Sequence, residues 1–317
     1  MAYNVRQTNK LARPQGTMAR FTMKGESMGR IGLMRLLAGR IRVQGLGNAI
    51  AHVARHPDRL MVHGRRLMRG DTGGLSNRYS ASDRVDDMRW VGKVASASAE
   101  RVRSAFDALD ADHAFSQDLR EHYAQNRPDW AESFHFGRFR AIYAIVRLLA
   151  PALVIETGVH DGLSSSLILK ALEDNRRGRL VSVDLPSADL PVTSRGPGWL
   201  VPDRMRHRWK LQLGDARSIL PRVCAEHAPI DLFLHDSDHS VAHRRFELTT
   251  VKPHLARHGV ILCDDDSPGD GLAATLASSW DMLYVPPNGV VGVGAIRPNA
   301  RGPGASSRFP ALGSADD

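Results

Sequence analysis

The 317-residue chain has a 42% apolar share and 24% charged residues. That is enough for a buried core in one large domain or two small ones, and ordinary for a soluble globular protein. Its net charge of +9 is unevenly spread: residues 1–66 carry 13 Lys/Arg against only Glu26 and Asp58, a net +11, and the remainder sums to −2. The basic balance thus belongs to an N-terminal extension, and the high isoelectric point is no argument for nucleic-acid binding by the rest of the chain.

Cys224 and Cys263 each sit in an apolar segment without a CxxC neighbour, which leaves zinc and redox motifs unsupported and favours buried free thiols. No apolar run reaches the length of a membrane span, and the N-terminal residues lack a secretory h-region. A cytoplasmic location is the expectation.

In chain order, Met1 to Glu26 is polar and Arg-rich, without apolar periodicity. Met28 to Val43 spaces Ile31, Met34, Leu37 and Ile41 near a helical repeat among four arginines. It reads either as a basic amphipathic helix for an anionic surface or partner, or as a solvated helix weakened by Gly32 and Gly39. Arg69 to Asp83 reads as a Gly/Ser/Asp-rich linker. Val85 to Leu109 reads as helix, with Asp118 to Gln125 continuing it up to an interruption at Pro128. Trp130 to Leu149 reads as the helix before the first strand, with Ile142, Ile145, Val146 and Leu149 on one face.

From Pro151 onward short apolar runs alternate with helical segments: LVIET, LVSVDL, WKLQLGD, IDLFLHD and GVILCDD, then WDMLYVPP and VVGVGAI around Asn288 and Gly289. The expected fold is α/β, a Rossmann-like doubly wound sheet, mostly parallel, with a C-terminal antiparallel hairpin and an N-terminal helical extension. The expected organisation is a basic extension and linker over 1–84, a helical cap or lid over 85–149, a cofactor-binding domain over 150–298 and a disordered tail over 299–317.

The stretch LVIETGVHDGLSSS, residues 153–166, is a strand, a glycine-containing turn and a helix start. Glycines let backbone approach a ligand, and a new helix offers unpaired N–H groups. Five consecutive strands each end in acid: Glu156, Asp184, Asp215, Asp236 with Asp238, and Asp264 to Asp266. Ligands of such sheets lie beyond the carboxyl ends of the strands. One such residue is usually a helix cap, but five in order are hard to read that way. Asp184 suits ribose hydroxyls. Asp215 suits either an adenine amino group or the cap of the helix starting near Ala216.

These motifs resemble the class I S-adenosylmethionine-dependent methyltransferases, and within them the metal-dependent small-molecule O-methyltransferases of catechol, caffeoyl-CoA and macrocin type. The likeness runs from about Trp130 to Ile296, and ETGVHDGLSS looks like the family's first motif without the GxGxG of other branches. The resemblance implies S-adenosylmethionine as cofactor, gripped by Glu156, Gly158, Gly162, Ser164, Asp184, Asp215 and Asp236. It implies a divalent cation, Mg2+, on Asp236, Asp264 and Asp265, where many relatives have Asn at the last position. His239 falls where the catechol enzymes carry a lysine general base.

Residue chemistry agrees. A hard cation takes oxygen ligands and leaves positions for a substrate hydroxyl, whose pKa it lowers. His239 is suited to take that proton, and its bland reading is a surface or capping histidine. His235 should point into the sheet. His243 is a second candidate base or a surface residue. The expected activity is methyl transfer to a hydroxyl of a small sugar- or phenol-type acceptor. A homodimer and weak anionic contacts through the N-terminus complete the expected partners. The alternatives are a nucleic-acid methyltransferase guided by the basic N-terminus, a hydroxylase-like or non-catalytic member of the fold, and a nicotinamide-dependent oxidoreductase. The missing GxGxxG and the terminal hairpin count against the last of these.

Overall fold

The computed structural model describes residues 81–127, 134–186, 195–266, 280–284 and 292–298. The basic segment Met28 to Val43, the Asn288 and Gly289 turn and the C-terminal tail lie outside them. Four helices come first: α1 (Ala81–Ala95), α2 (Ala99–Ala111), α3 (His113–Asn126) and α4 (Phe139–Leu149). The linker expected to run to Asp83 therefore ends before Ala81. The single helix expected from Val85 to Leu109 is two, because Ser96 turns to a positive φ of 50° and the Ser98 side chain accepts from the Arg101 amide as a new N-cap. Asp112 caps α3 in the same way through the Phe115 amide. In the segment expected to be helical from Trp130, the described residues 134–138 precede a helix that starts at Phe139, and among them Phe134 packs on Tyr123 and Phe136 on Phe115.

Helix α4 buries six consecutive residues, Ala141 to Val146, with Arg140 and Arg147 half-buried on either side of them. A helix of that kind belongs inside a protein. It packs against α1, α2 and the first helix of the α/β part, α5 (Leu163–Asp174). Tyr143 donates to Asp174 at 2.7 Å, and Lys170 of α5 pairs with Asp112 at 2.9 Å and with Asp174 at 2.5 Å. The helices expected as a cap thus share one core with the sheet.

The sheet comprises β1 (Leu153–Thr157), β2 (Arg179–Asp184), β3 (Trp209–Leu213), β4 (Ile230–His235), β5 (Leu255–Asp266), β6 (Trp280–Tyr284) and β7 (Gly292–Pro298). Helix α6 (Ala216–His227) links β3 to β4, and α7 (Val241–Val251) precedes β5. The strand order is β3-β2-β1-β4-β5-β7-β6; the first five strands pair in parallel and β7 antiparallel to both neighbours. This is the expected doubly wound sheet with its closing antiparallel pair. The order in which strands are added reverses between β1 and β4, which puts the topological switch point there.

Alternation along the strands divides the side chains between two cores. Val154, Leu180, Leu232 and Leu262 face α1 to α5, while Ile155, Val181, Phe233 and Cys263 face α6 and α7. The next residues follow the same parity. Glu156 and Ser182 turn to the α5 side, and Thr157 and His235 to the α7 side.

Candidate functional site

The turn after β1 is built by close approach. Gly158 and Gly162 take positive φ values of 82° and 95°. Both were expected to let backbone approach a ligand, and both bring it against protein. A Cβ on Gly158 would lie 2.0 Å from the Asp236 carbonyl oxygen, and one on Gly162 would lie 2.7 Å from the Gly198 Cα. The Asp236 amide donates to the Thr157 carbonyl at 2.9 Å. The cofactor turn and the acidic loop after β4 are therefore pressed together at the switch point. On its other flank the turn is tied to residues 198–200, whose Gly198 and Leu200 amides donate to His160 and Asp161 at 2.8 and 2.9 Å.

Glu156 and Ser164, expected at the cofactor, bond to one another. Glu156 is fully buried and accepts from Ser164 and Ser165 at 2.5 Å and from Ser182 at 2.8 Å. The side-chain pattern is that of a brace beneath the turn, holding the start of α5 to β1 and β2. Burial pushes the Glu156 carboxyl up to about 7, against the three hydroxyl donors and with the Asp184 charge adding to the rise.

Asp184 accepts from the Val159 and His160 amides at 3.1 and 2.8 Å and from its neighbour Leu185 at 2.7 Å. Burial leaves its carboxyl raised despite those donors. A carboxylate has roughly four lone-pair positions, so Asp184 shapes the turn and keeps capacity for ribose hydroxyls. Helix α5 opens on Gly162, which has no side chain to cap it, while the Asp161 carboxylate accepts from the Leu163 amide at 3.1 Å; the first-turn amides beyond Leu163 are those suited to the anionic end of an amino-acid ligand. Asp215 resolves to the cap reading, because its side chain accepts from the Arg217 amide at 2.9 Å at the start of α6.

Beyond β4, Asp236 and His239 stand together, with His239 Nε2 4.0 Å from Asp236 Oδ1. The His239 ring meets His235 edge-on, with centroids 5.8 Å apart. His235 is buried as expected. His243, expected as a base or a surface residue, is buried as well, and both histidines serve a residue that the sequence reading missed. Glu247 of α7 is fully buried and takes contacts from His235 Nδ1 at 2.6 Å, His243 Nε2 at 2.8 Å, Thr157 Oγ1 at 2.7 Å and Ser237 Oγ at 2.8 Å. Burial alone would raise its carboxyl, but the two imidazoles outweigh burial and hold it well below the usual carboxylate range. The available signal was the spacing of Arg244, Glu247, Leu248 and Val251, a buried helical stripe with an acid inside it.

Asp264 lies at the carboxyl end of β5 on the helical side, buried, with Oδ2 2.8 Å from the Arg138 guanidinium just ahead of α4. Its Oδ1 is buried with no hydrogen-bond partner among the described residues. That oxygen suits a hard cation, while Arg138 already supplies positive charge to the other. The role expected of Asp265 falls on a side chain outside the described residues. Among the described residues no group of three or more His, Cys, Asp or Glu side chains gathers in a metal-holding arrangement. A cleft of about 670 Å³ opens at the opposite edge of the sheet, between Arg177, His227 and Asp231, and holds none of these residues. No described helix is long and apolar enough to cross a membrane.

Comparison with known proteins follows this geometry. A family model described as a methyltransferase domain matches residues 155–265, from β1 to the end of β5. Among solved structures, the chain is similar to the Podospora anserina methyltransferase PaMTH1 bound to SAH, at 19% identity and a TM-score of 0.43 over 57% of this chain and 88% of that one. It is similar to the O-methyltransferase TomG from Streptomyces achromogenes, in complex with SAM, at 19% identity and a TM-score of 0.41 over 58% and 88%. A third likeness is to the MycE methyltransferase of mycinamycin biosynthesis, in complex with Mg, SAH and mycinamycin VI, at 22% identity and a TM-score of 0.32 over 47% and 39%. No curated protein sequence matches the chain. Over residues 155–265 the chain therefore carries a stretch that matches a methyltransferase domain.

Proposed function

We propose that the chain is a cytoplasmic enzyme that methylates a hydroxyl of a small sugar- or phenol-type molecule. The observation that carries this reading is the contact of the Gly158 turn with the Asp236 loop, since it sets a cofactor grip beside an acid and a histidine. S-adenosylmethionine supplies the electrophilic methyl. Asp184 orients the ribose while fixing the turn, and the first turn of α5 faces the cofactor's carboxylate. His239 takes the acceptor's hydroxyl proton, and Asp236 favours the imidazolium that results. Close placement of acceptor and donor supplies much of the rate.

A divalent cation is the finer part of the proposal. Asp236, Asp264 and Asp265 would hold it, and it supplies a lowered pKa for the acceptor hydroxyl. Arg138 competes for the same site through Asp264. Replacing it, Arg138→Ala, is expected to tighten Mn2+ binding roughly tenfold by electron paramagnetic resonance titration, because a like charge paired with the buried Asp264 is removed. Unchanged Mn2+ affinity takes Asp264 out of the ligand set.

The proposal as a whole is tested by calorimetry and turnover. S-adenosylhomocysteine is expected to bind and NAD not to, and methyl groups are expected on catechol or a hydroxylated sugar, with His239→Ala lowering turnover more than cofactor affinity. Methyl groups appearing on RNA alone would replace the small-molecule reading with the nucleic-acid one.

A further inference from the structure

Glu247 is fully buried on the inner face of α7. Each of its oxygens joins two separate pieces of the site. Oε2 takes Thr157 Oγ1, from the end of β1, and His235 Nδ1, from the end of β4. Oε1 takes Ser237 Oγ, from the acidic loop, and His243 Nε2, from the first turns of α7. Thr157 is followed directly by Gly158 of the cofactor turn, and Ser237 lies between Asp236 and Asp238. The other ring nitrogens, His235 Nε2 and His243 Nδ1, are buried without a hydrogen-bond partner among the described residues. Among the described residues the carboxylate is therefore the hydrogen-bond partner that fixes how both rings are turned, beside the ring contacts of His235 with His239 and of His243 with Phe246.

We infer that Glu247 is a positioning residue for methyl transfer, one buried anion that locks the cofactor turn after β1 to the acidic loop after β4. This rests on the reading of that edge as the methyl-transfer site. A carboxylate suits the task because it only accepts, and all four neighbours are able to donate. The chain contact alone would leave the loop free to slide, since it fixes one carbonyl and one amide. The four side-chain bonds add a restraint in the plane of the sheet edge and another from α7. A shift of about 1 Å between cofactor and acceptor sides is enough to lose much of the benefit of close placement.

The test reads cofactor affinity, which a purely structural brace would leave untouched in the folded fraction. S-adenosylhomocysteine is titrated calorimetrically into the full chain and into Thr157→Val, Ser237→Ala, the double variant and Glu247→Gln, with thermal unfolding alongside. Each hydroxyl variant is expected to weaken binding about threefold, and the double variant only about fourfold, because both act through one carboxylate. Glu247→Gln, which turns an amide NH2 onto donors, is expected to weaken binding about tenfold and to make a further Ser237→Ala change silent. If Glu247→Gln does not fold, the hydroxyl pair decides. Independent, multiplicative effects of Thr157→Val and Ser237→Ala, or a Ser237→Ala variant that binds as the wild type does, overturn the inference while the cofactor reading stands. Failure of the wild-type chain to bind S-adenosylhomocysteine overturns both.

Discussion

Two glutamates lie fully buried on opposite faces of the same sheet edge, and their surroundings set them apart. Glu156, beneath the cofactor turn, is met by three serine hydroxyls, and burial pushes its carboxyl up to about 7. Glu247, beneath the acidic loop, is met by two hydroxyls and two imidazoles and is held well below the usual range. Burial opposes ionisation in both. Hydroxyls only offset part of that cost, whereas the two imidazole contacts outweigh it. The hydroxyl cage suits a brace that works in either protonation state, because a hydroxyl donates or accepts. The imidazole cage needs the anion.

The sharpest way to break this contrast is to remove the anion. Glu247→Leu leaves His235, His243, Thr157 and Ser237 without their common acceptor, and is expected to cost roughly 3–5 kcal/mol in urea unfolding. A loss under about 1 kcal/mol would mean that the cluster is held by something else. A smaller effect sits on the other face. The folded-state pKa of Glu156 is raised above its ordinary 4.5 to about 7. Its contribution is therefore full below pH 4.5 and is lost as pH climbs through 7, about 3 kcal/mol in all. Glu247 has the opposite sign. Its contribution is present above 4.5 and lost as pH falls below it, so the two windows do not overlap. Unfolding free energy followed from pH 4.5 to 7.5 should decline in the wild type and stay flat in Glu156→Gln. A decline that survives the substitution would place the raised carboxyl elsewhere.

Much of this edge was legible in the sequence. Apolar runs separated by helical segments predicted the parallel sheet, and the short final interval predicted the antiparallel pair. The acids at the strand ends located the edge itself. What the sequence hid is which way those acids turn. Period-two alternation sends Glu156 to one face and Thr157 to the other, yet only the tertiary fold brings Ser182 to the first and Glu247 to the second. Gly158 was legible as a close approach, but the partner in that approach, the Asp236 carbonyl, lies 78 positions away. Arg138 was missed because an ion pair to Asp264 spans 126 positions and leaves no local periodicity. The helical segment before the sheet was legible as helix, whereas its breaks at Ser96 and before Phe139 depend on local caps and on aromatic packing.

At the half-buried rim the same distinction is drawn with backbone donors, and the effect should be smallest there. Asp184 accepts from three amides, two of them in the cofactor turn, while Asp215 accepts from the Arg217 amide at the start of α6. A capping acid replaced by alanine costs about 1 kcal/mol of helix stability. Asp215→Ala is therefore expected to lower unfolding free energy by that amount and to leave S-adenosylhomocysteine affinity where it was. Asp184→Ala should instead weaken cofactor binding, because the turn and the ribose both depend on it. If Asp215→Ala weakens S-adenosylhomocysteine binding tenfold at unchanged stability, Asp215 is the adenine contact after all, and the bond to Arg217 yields when the cofactor arrives.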